Sequence, residues 1–429
     1  MTNTLGQKFN TKTLLKFAMP SMIMMIFMSL YTIIDGIFVS RFVGSDALSA
    51  INIVYPIICI LIAISVMLSN GGSAIIAKKM GEKDLKSARE NFTFFIVIGI
   101  VISIIISILT IIFLKPLTNV LGASENLYNY CNIYLKILIL FAPACALQTI
   151  FQSFFVTAGK PNLGLNLILI GGILNAILDY IFLSKLNRGI EGAAIATGIG
   201  QLIPSIFGVI YFTFIKKELY FVSFKFDLKT LLQAASNGSS EMVSNLSTAV
   251  VTYLFNIILM KLAGEAGVAA ITIILYGQFL FNSLYLGFSI GVAPIISYNF
   301  GANNNKELKK IYKISTNFVI ISSLIVALGS YFLSDTIVNI FVSDVNSETY
   351  KLTHTGLMLF SINYIFSGFN IFSSSLFTAL SDGKISAIIS FARTFVFMII
   401  SLTILPKIIG LTGVWIAVPL AELITFILS

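Results

Sequence analysis

One recurrence constrains this chain above all: uninterrupted apolar stretches of about 20 residues return along its whole length, as in "FFIVIGIVISIIISILTIIFL" and "LILIGGILNAILDYIFL". At 1.5 Å per residue, an α-helix of about 20 residues crosses a hydrocarbon core of roughly 30 Å. Runs rich in β-branched residues also suit buried strands, but these are too long and too often repeated for strands. A transmembrane barrel would alternate apolar and polar residues about every second position, and these stretches do not. Only 10% of the residues are charged, against roughly 25% in a soluble domain, so little is available to cover a water-facing surface. The fold class expected is an all-α polytopic membrane protein.

Twelve spans are expected, at 15–38, 49–74, 92–114, 131–156, 163–184, 192–215, 239–261, 266–296, 314–335, 354–377, 385–407 and 410–428. An even number puts both termini on one side. With the N-terminus inside, 18 of the 27 Lys and Arg fall on the inner side, including Lys78, Lys79, Lys83, Lys86, Arg89, Lys160, Lys216, Lys306 and Lys309. Seven fall outside, among them Arg41, Lys115 and Lys351. That asymmetry is the positive-inside pattern, and it accounts for the net charge of +9 without a nucleic-acid partner. The opening "MTNTLGQKFNTKTLLKFAMP" has no small-residue cleavage site after a short apolar core, so it reads as a cytoplasmic lead-in.

The chain also repeats itself. "SRFVGSDALSAINI" from Ser40 resembles "MKLAGEAGVAAITI" from Met260, and "GGSAIIAKKMGEKDLK" from Gly71 resembles "GVAPIISYNFGANNNK" from Gly291. "TAGK" ending at Lys160 and "GIEGAAIATGIGQLI" from Gly189 return as "SDGK" ending at Lys384 and "GLTGVWIAVPLAELI" from Gly410. Each half holds six spans and enters the membrane in the same direction, so the halves form two parallel-repeat six-helix bundles about an axis along the membrane normal. The expected division is an N-terminal lobe 1–215, a cytoplasmic linker 216–238 and a C-terminal lobe 239–429. Two such bundles suit a transporter, since one rocks against the other around a shared cavity; a fused scaffold would show the same symmetry.

Within this apolar sequence a few acids stand out, because a carboxylate in hydrocarbon is unfavourable and marks function by default. Asp35 lies toward the outward end of the first span and Asp179 toward the outward end of the fifth. Asn175 precedes Asp179 by one helical turn on the same face, and Thr197 in the sixth span reaches a comparable depth. Two carboxylates, an amide oxygen and a hydroxyl suit a hard monovalent cation, or the two acids share a proton because like charges repel. The residues leave sodium and hydrogen ions equally open. A hydrogen-bonded pair that only joins helices is the plainer alternative. Near the corresponding positions of the second half stand Phe255, beside Asn256, and Ile400, so the acidic centre belongs to the first half alone. Glu241, at the start of the seventh span, either faces a central cavity as a substrate contact or helps to start its helix. For Glu422 an interhelical hydrogen bond is expected. The single His354 and the scattered Cys59, Cys131 and Cys145 supply neither a metal site nor a catalytic nucleophile, so no enzyme and no cofactor are expected.

Taken together, "DGIFVSRFVGSDALSAINIVYP", "GGSAIIAKKMGEKD", "LNAILDYIFL", "GAAIATGIGQ", "ISYNFGANN" and "GVWIAVPLAELI" resemble the multidrug and toxic compound extrusion (MATE) transporters, in their DinF-like or MepA-like bacterial branch. The resemblance covers nearly all twelve spans. It implies a secondary antiporter in the bacterial inner (cytoplasmic) membrane that exports amphipathic or cationic small molecules in exchange for H+ or Na+, as a monomer among membrane lipids. By that resemblance Asp35, Asn175, Asp179 and Thr197 match the N-lobe cation or protonation network, and Glu241 matches a seventh-helix acidic position of some relatives. The acidic pair of the NorM-like C-lobe is missing. A lipid or lipid-linked-sugar flippase is the closest alternative, with Arg393 the main intramembrane base available for a pyrophosphate.

Overall fold

A computed structural model describes residues 4–215 and 217–429; Lys216, counted above on the inner side, lies outside them. The described chain is helical almost throughout. The helices of the first half are α1 (Thr11–Phe42), α2 (Ser45–Gly81), α3 (Leu85–Ile112), α4 (Leu114–Val120), α5 (Glu125–Leu140), α6 (Ala142–Thr157), α7 (Pro161–Asp179) and α8 (Gly189–Phe214). Those of the second are α9 (Leu228–Gly301), α10 (Asn305–Phe332), α11 (Ser334–Phe341), α12 (Glu348–Phe360), α13 (Tyr364–Ala379), α14 (Gly383–Phe391), α15 (Met398–Ile409) and α16 (Leu411–Leu428).

Among the described residues ten helical stretches are long and apolar enough to cross a membrane. The bent pair α5 and α6 adds an eleventh. The twelfth lies inside α9, whose 74 residues would extend about 110 Å if straight, several times a bilayer core. Gly264, at φ 58 and ψ −151, turns the chain back there and makes two spans of it. Two details differ from the sequence reading. The fourth span is two helices meeting at 55° around Phe141, where Pro143 sits in the first turn of α6 and cannot donate a backbone bond. The seventh span begins at Leu228 rather than near 239, because the Asp227 carboxylate accepts from the Lys229 N–H at 2.9 Å and caps the helix there.

The duplication is written in the backbone as well as in the sequence. Left-handed φ values recur at matched turns: Gly44 and Gly264, Lys83 and Asn303, Gly159 and Ser381, Gly189 and Gly410. Asp84 caps α3 and Asn304 caps α10 through the same side-chain geometry, accepting from Ser87 N–H and Glu307 N–H. Short α4 and α11 follow the third span of each half, and the break before α6 matches the tight turn Ser361–Asn363 before α13.

The halves meet along α9, which packs against α2 and α1. At one end of the molecule this seam closes backbone to backbone. A Cβ at Gly71 would stand 2.0 Å from the Ala234 carbonyl oxygen, at Gly238 2.0 Å from that of Met67, at Gly81 2.0 Å from that of Tyr298 and at Gly301 2.1 Å from that of Lys78. Higher up, the Ser29 and Ser283 hydroxyls hydrogen-bond across the seam. Toward the other end a Cβ at Gly264 or Gly277 would meet nothing within 4 Å. The closed end carries the turns before α3, α7, α10 and α14, and with them Lys83, Lys160, Lys306 and Lys384. The segment before α9 is fastened to α3: Arg89 Nε donates to the Glu218 carbonyl at 2.9 Å, Val222 N–H donates to Thr93 Oγ1 at 3.1 Å, and Phe221 packs on Phe92.

Candidate ion-coupling site

The first-half acids converge because small residues let three helices approach closely. Gly171 on α7 and Gly200 on α8 interlock: a Cβ at Gly171 would stand 2.6 Å from the Gly200 carbonyl oxygen, and one at Gly200 2.9 Å from the Asn175 Cβ. That spacing brings Thr197 of α8 to Asn175 of α7, with Asn175 Nδ2 3.5 Å from Thr197 Oγ1, a long hydrogen bond. The Thr197 hydroxyl itself donates to the Ala193 carbonyl at 3.0 Å. On its other side Gly172 of α7 receives the Phe27 ring and adjoins Tyr31 of α1, so α1 lies against α7 and presents Asp35 to Asp179.

Asp179 is the last residue of α7 before a π-helical segment, Tyr180–Lys185, a local widening of the helix. Asp179 and Asn175 are each 1% exposed and Thr197 is 9% exposed. The Asp35 and Asp179 carboxyl groups face each other, with the phenols of Tyr31 and Tyr134 in electrostatic range of both. Apart from that mutual contact, both oxygens of Asp179, Oδ1 of Asp35 and Oδ1 of Asn175 are buried and receive no hydrogen bond from any described group. Buried carboxylates with no donor are costly unless a proton or cation neutralises them. These four oxygens come from α1 and α7, with the Thr197 hydroxyl of α8 beside them, a grouping of the kind that suits a proton or a monovalent cation. Tyr31 and Tyr134 escaped the sequence reading. Tyr31 had a readable signal, since it lies one turn before Asp35 on the same helix face, whereas Tyr134 arrives from α5 with no local signal at all.

The sequence matches the MatE family model over residues 20–181 and 241–404, one match in each half. The chain belongs to the MatE family. Among curated relatives, this MatE protein is 28% identical to the multidrug export protein MepA of Staphylococcus haemolyticus over 97% of this chain and 92% of that protein. Against the multidrug export protein MepA of Staphylococcus aureus the identity is 26%, over 96% and 90%. Among solved structures, an outward-facing multidrug resistance MATE family transporter of the MOP superfamily superposes with a TM-score of 0.92 at 22% identity, over 100% of this chain and 96% of that one. A MOP superfamily transporter from Pyrococcus furiosus, described as having a binding pocket of reversed polarity, superposes with a TM-score of 0.91 over the same shares. The twelve-span MatE architecture is thus that of a membrane transporter and not of an enzyme.

Two further acids of this MatE protein sit elsewhere. Glu241 is half-buried and accepts from its neighbour Ser240 Oγ at 2.5 Å. Its helix starts 13 residues earlier at Leu228, so the helix-starting role considered from the sequence does not arise. Instead Glu241 lines a cavity of about 20 Å³ between the halves, with Asn70 and Ser73 of α2, Ser153 of α6 and Thr378 of α13. That volume is enough for about one water molecule. Glu422 is 3% exposed and makes the interhelical bonds expected of it: Arg393 Nε donates to both its carboxylate oxygens at 2.9 and 3.0 Å, and Asn370 Nδ2 donates at 2.7 Å. Glu422 is thus held in a fork of donors, whereas Asp35 and Asp179 are left without one.

Proposed function

We propose that this chain is a secondary active exporter of amphipathic or cationic small molecules, multidrug compounds of the kind named for its MepA relatives, in exchange for H+ or Na+. The observation that carries the reading is the pair Asp35, half-buried, and Asp179, buried, both short of donors beside Asn175 and Thr197. Its architecture would be an N-terminal lobe 1–215, a linker 216–238 and a C-terminal lobe 239–429, working as a monomer in a bacterial cytoplasmic membrane with both termini and the basic closed end inside.

In this reading the small cavity between the lobes widens when the basic end opens and takes cargo from the cytoplasm, with Glu241 in its wall as an anionic contact. The lobes then close at the basic end and open at the other. A proton or sodium ion entering from outside neutralises the Asp35–Asp179 pair, favours cargo release and accompanies the return. The ion must bind the two states with different affinity, since equal affinity shifts no equilibrium. Asp179→Asn keeps the shape of the side chain and removes its charge. In proteoliposomes with proton and sodium gradients imposed separately, wild-type protein is expected to move a cationic dye with one gradient, and Asp179→Asn to lose gradient-driven movement while remaining folded in the membrane. Wild-type transport by that variant under the same gradient overturns the coupling role. The flippase alternative is weakened because Arg393, the base it needs, is already engaged on both oxygens of Glu422.

A further inference from the structure

The segment ahead of α1 plays no part in the scheme above, yet it is built into the closed end. Terminal residues are poorly ordered unless something ties them down, and here several contacts do. Leu5 and Phe9 are fully buried and join one apolar cluster with Ile75 and Phe154 of the first half and Ile295 and Ile311 of the second. The Phe9 ring stands edge-on to Phe17 with centroids 6.1 Å apart. Its backbone N–H donates to Glu307 Oε1 at 2.6 Å, and Glu307, in the first turn of α10, is only 8% exposed. Thr4 lies against the turn after α6, where a Cβ at Gly159 would stand 3.0 Å from the Thr4 Cβ. Gly6 lies against the Tyr298 ring, where its own Cβ would stand 2.9 Å from ring atoms. Gly159 belongs to the first half, Tyr298 and Glu307 to the second. One short segment therefore spans the seam, and its bond to Glu307 satisfies a carboxylate that burial would otherwise leave costly.

We propose that residues 4–10 are a latch that holds the two halves together at the closed end and must leave either Gly159 or Glu307 before they part there. The latch rests on the alternating-access reading above, but its effect is on the equilibrium between closed and open ends, which can be read without cargo or ion gradient. Spin labels on Lys86→Cys and Lys309→Cys, exposed at this end on opposite halves, report the separation by double electron–electron resonance in nanodiscs, with the three buried native cysteines left in place. Glu307→Ala, and separately deletion of residues 2–9, are expected to raise the ratio of open to closed molecules about tenfold, the order of one buried N–H left without an acceptor. Glu307→Gln retains an acceptor for the Phe9 N–H and is expected to stay near wild type. An unchanged distance distribution in folded Glu307→Ala protein overturns the latch, and so does an equal shift in Glu307→Gln, which would assign the effect to charge alone. Should the deletion variant fail to fold, the Glu307 pair decides. A latch response in protein that shows no gradient-driven transport would overturn the export reading and leave the latch standing.

Discussion

At the scale of single residues, what separates the buried acids is the company of donors. Glu422 has Arg393 and Asn370, so removing Arg393 strands a carboxylate in an apolar interior. Arg393→Met is expected to destabilise by about 3–5 kcal/mol, and adding Glu422→Leu to restore most of that loss, read as thermal unfolding of purified protein in detergent. Outside the membrane-spanning segments Glu218 offers a pH test. Burial pushes its carboxyl up from the usual range, and Lys160 and Arg89 draw it partly back. A carboxyl raised on folding contributes stability in acid that is lost as pH rises through its folded value. Glu218→Gln should therefore unfold at the wild-type temperature near pH 4 and at a higher one than wild type near pH 7. Asp35, Asn175, Asp179 and Thr197 were all legible from the sequence, because polar side chains in apolar helices are conspicuous. The Tyr134 phenol was not, since nothing along α5 says which neighbour that helix will face.

At the scale of helices, glycine decides how closely elements approach. Gly301 and Gly81 let α9 and α2 touch through their backbones, where no side chain is available to give way. Gly301→Ala is expected to destabilise the closed seam by about 1–3 kcal/mol or more, seen as faster amide hydrogen exchange in both helix ends. Gly277→Ala, which points into open space, should be neutral or slightly stabilising through helix propensity. The periodicity of apolar stretches marked every span, but not the break at Phe141, because Pro143 in that position is compatible with a straight start of a new helix or a kink in an old one. Nor did it reveal the early start of α9, since Asp227 reads as one more polar residue of a basic linker until its carboxylate is seen capping.

At the scale of the whole molecule, the lysines predict a direction in the membrane. A single cysteine replacing Lys309 is expected to react with an impermeant maleimide only after cells are permeabilised, and one replacing Lys351 to react in intact cells; the reverse pattern would invert the orientation. The closed seam and the proposed latch belong to one end of the molecule, and a label at that seam should become reactive only when the lobes part there.

By itself the sequence determined that this chain lives in a bilayer, how many times it crosses, that it is a duplicated pair of bundles and which polar atoms are out of place there. Those properties are local or periodic, fixed by transfer of side chains from water to hydrocarbon and by helix rise. Only the tertiary structure decided which end of the seam is shut, that Arg393 is spent on Glu422 while Asp179 has no such donor, and that the opening residues bridge the halves. Each of these depends on pairs of groups brought together from distant parts of the chain, and a pairing energy exists only once both partners are in place.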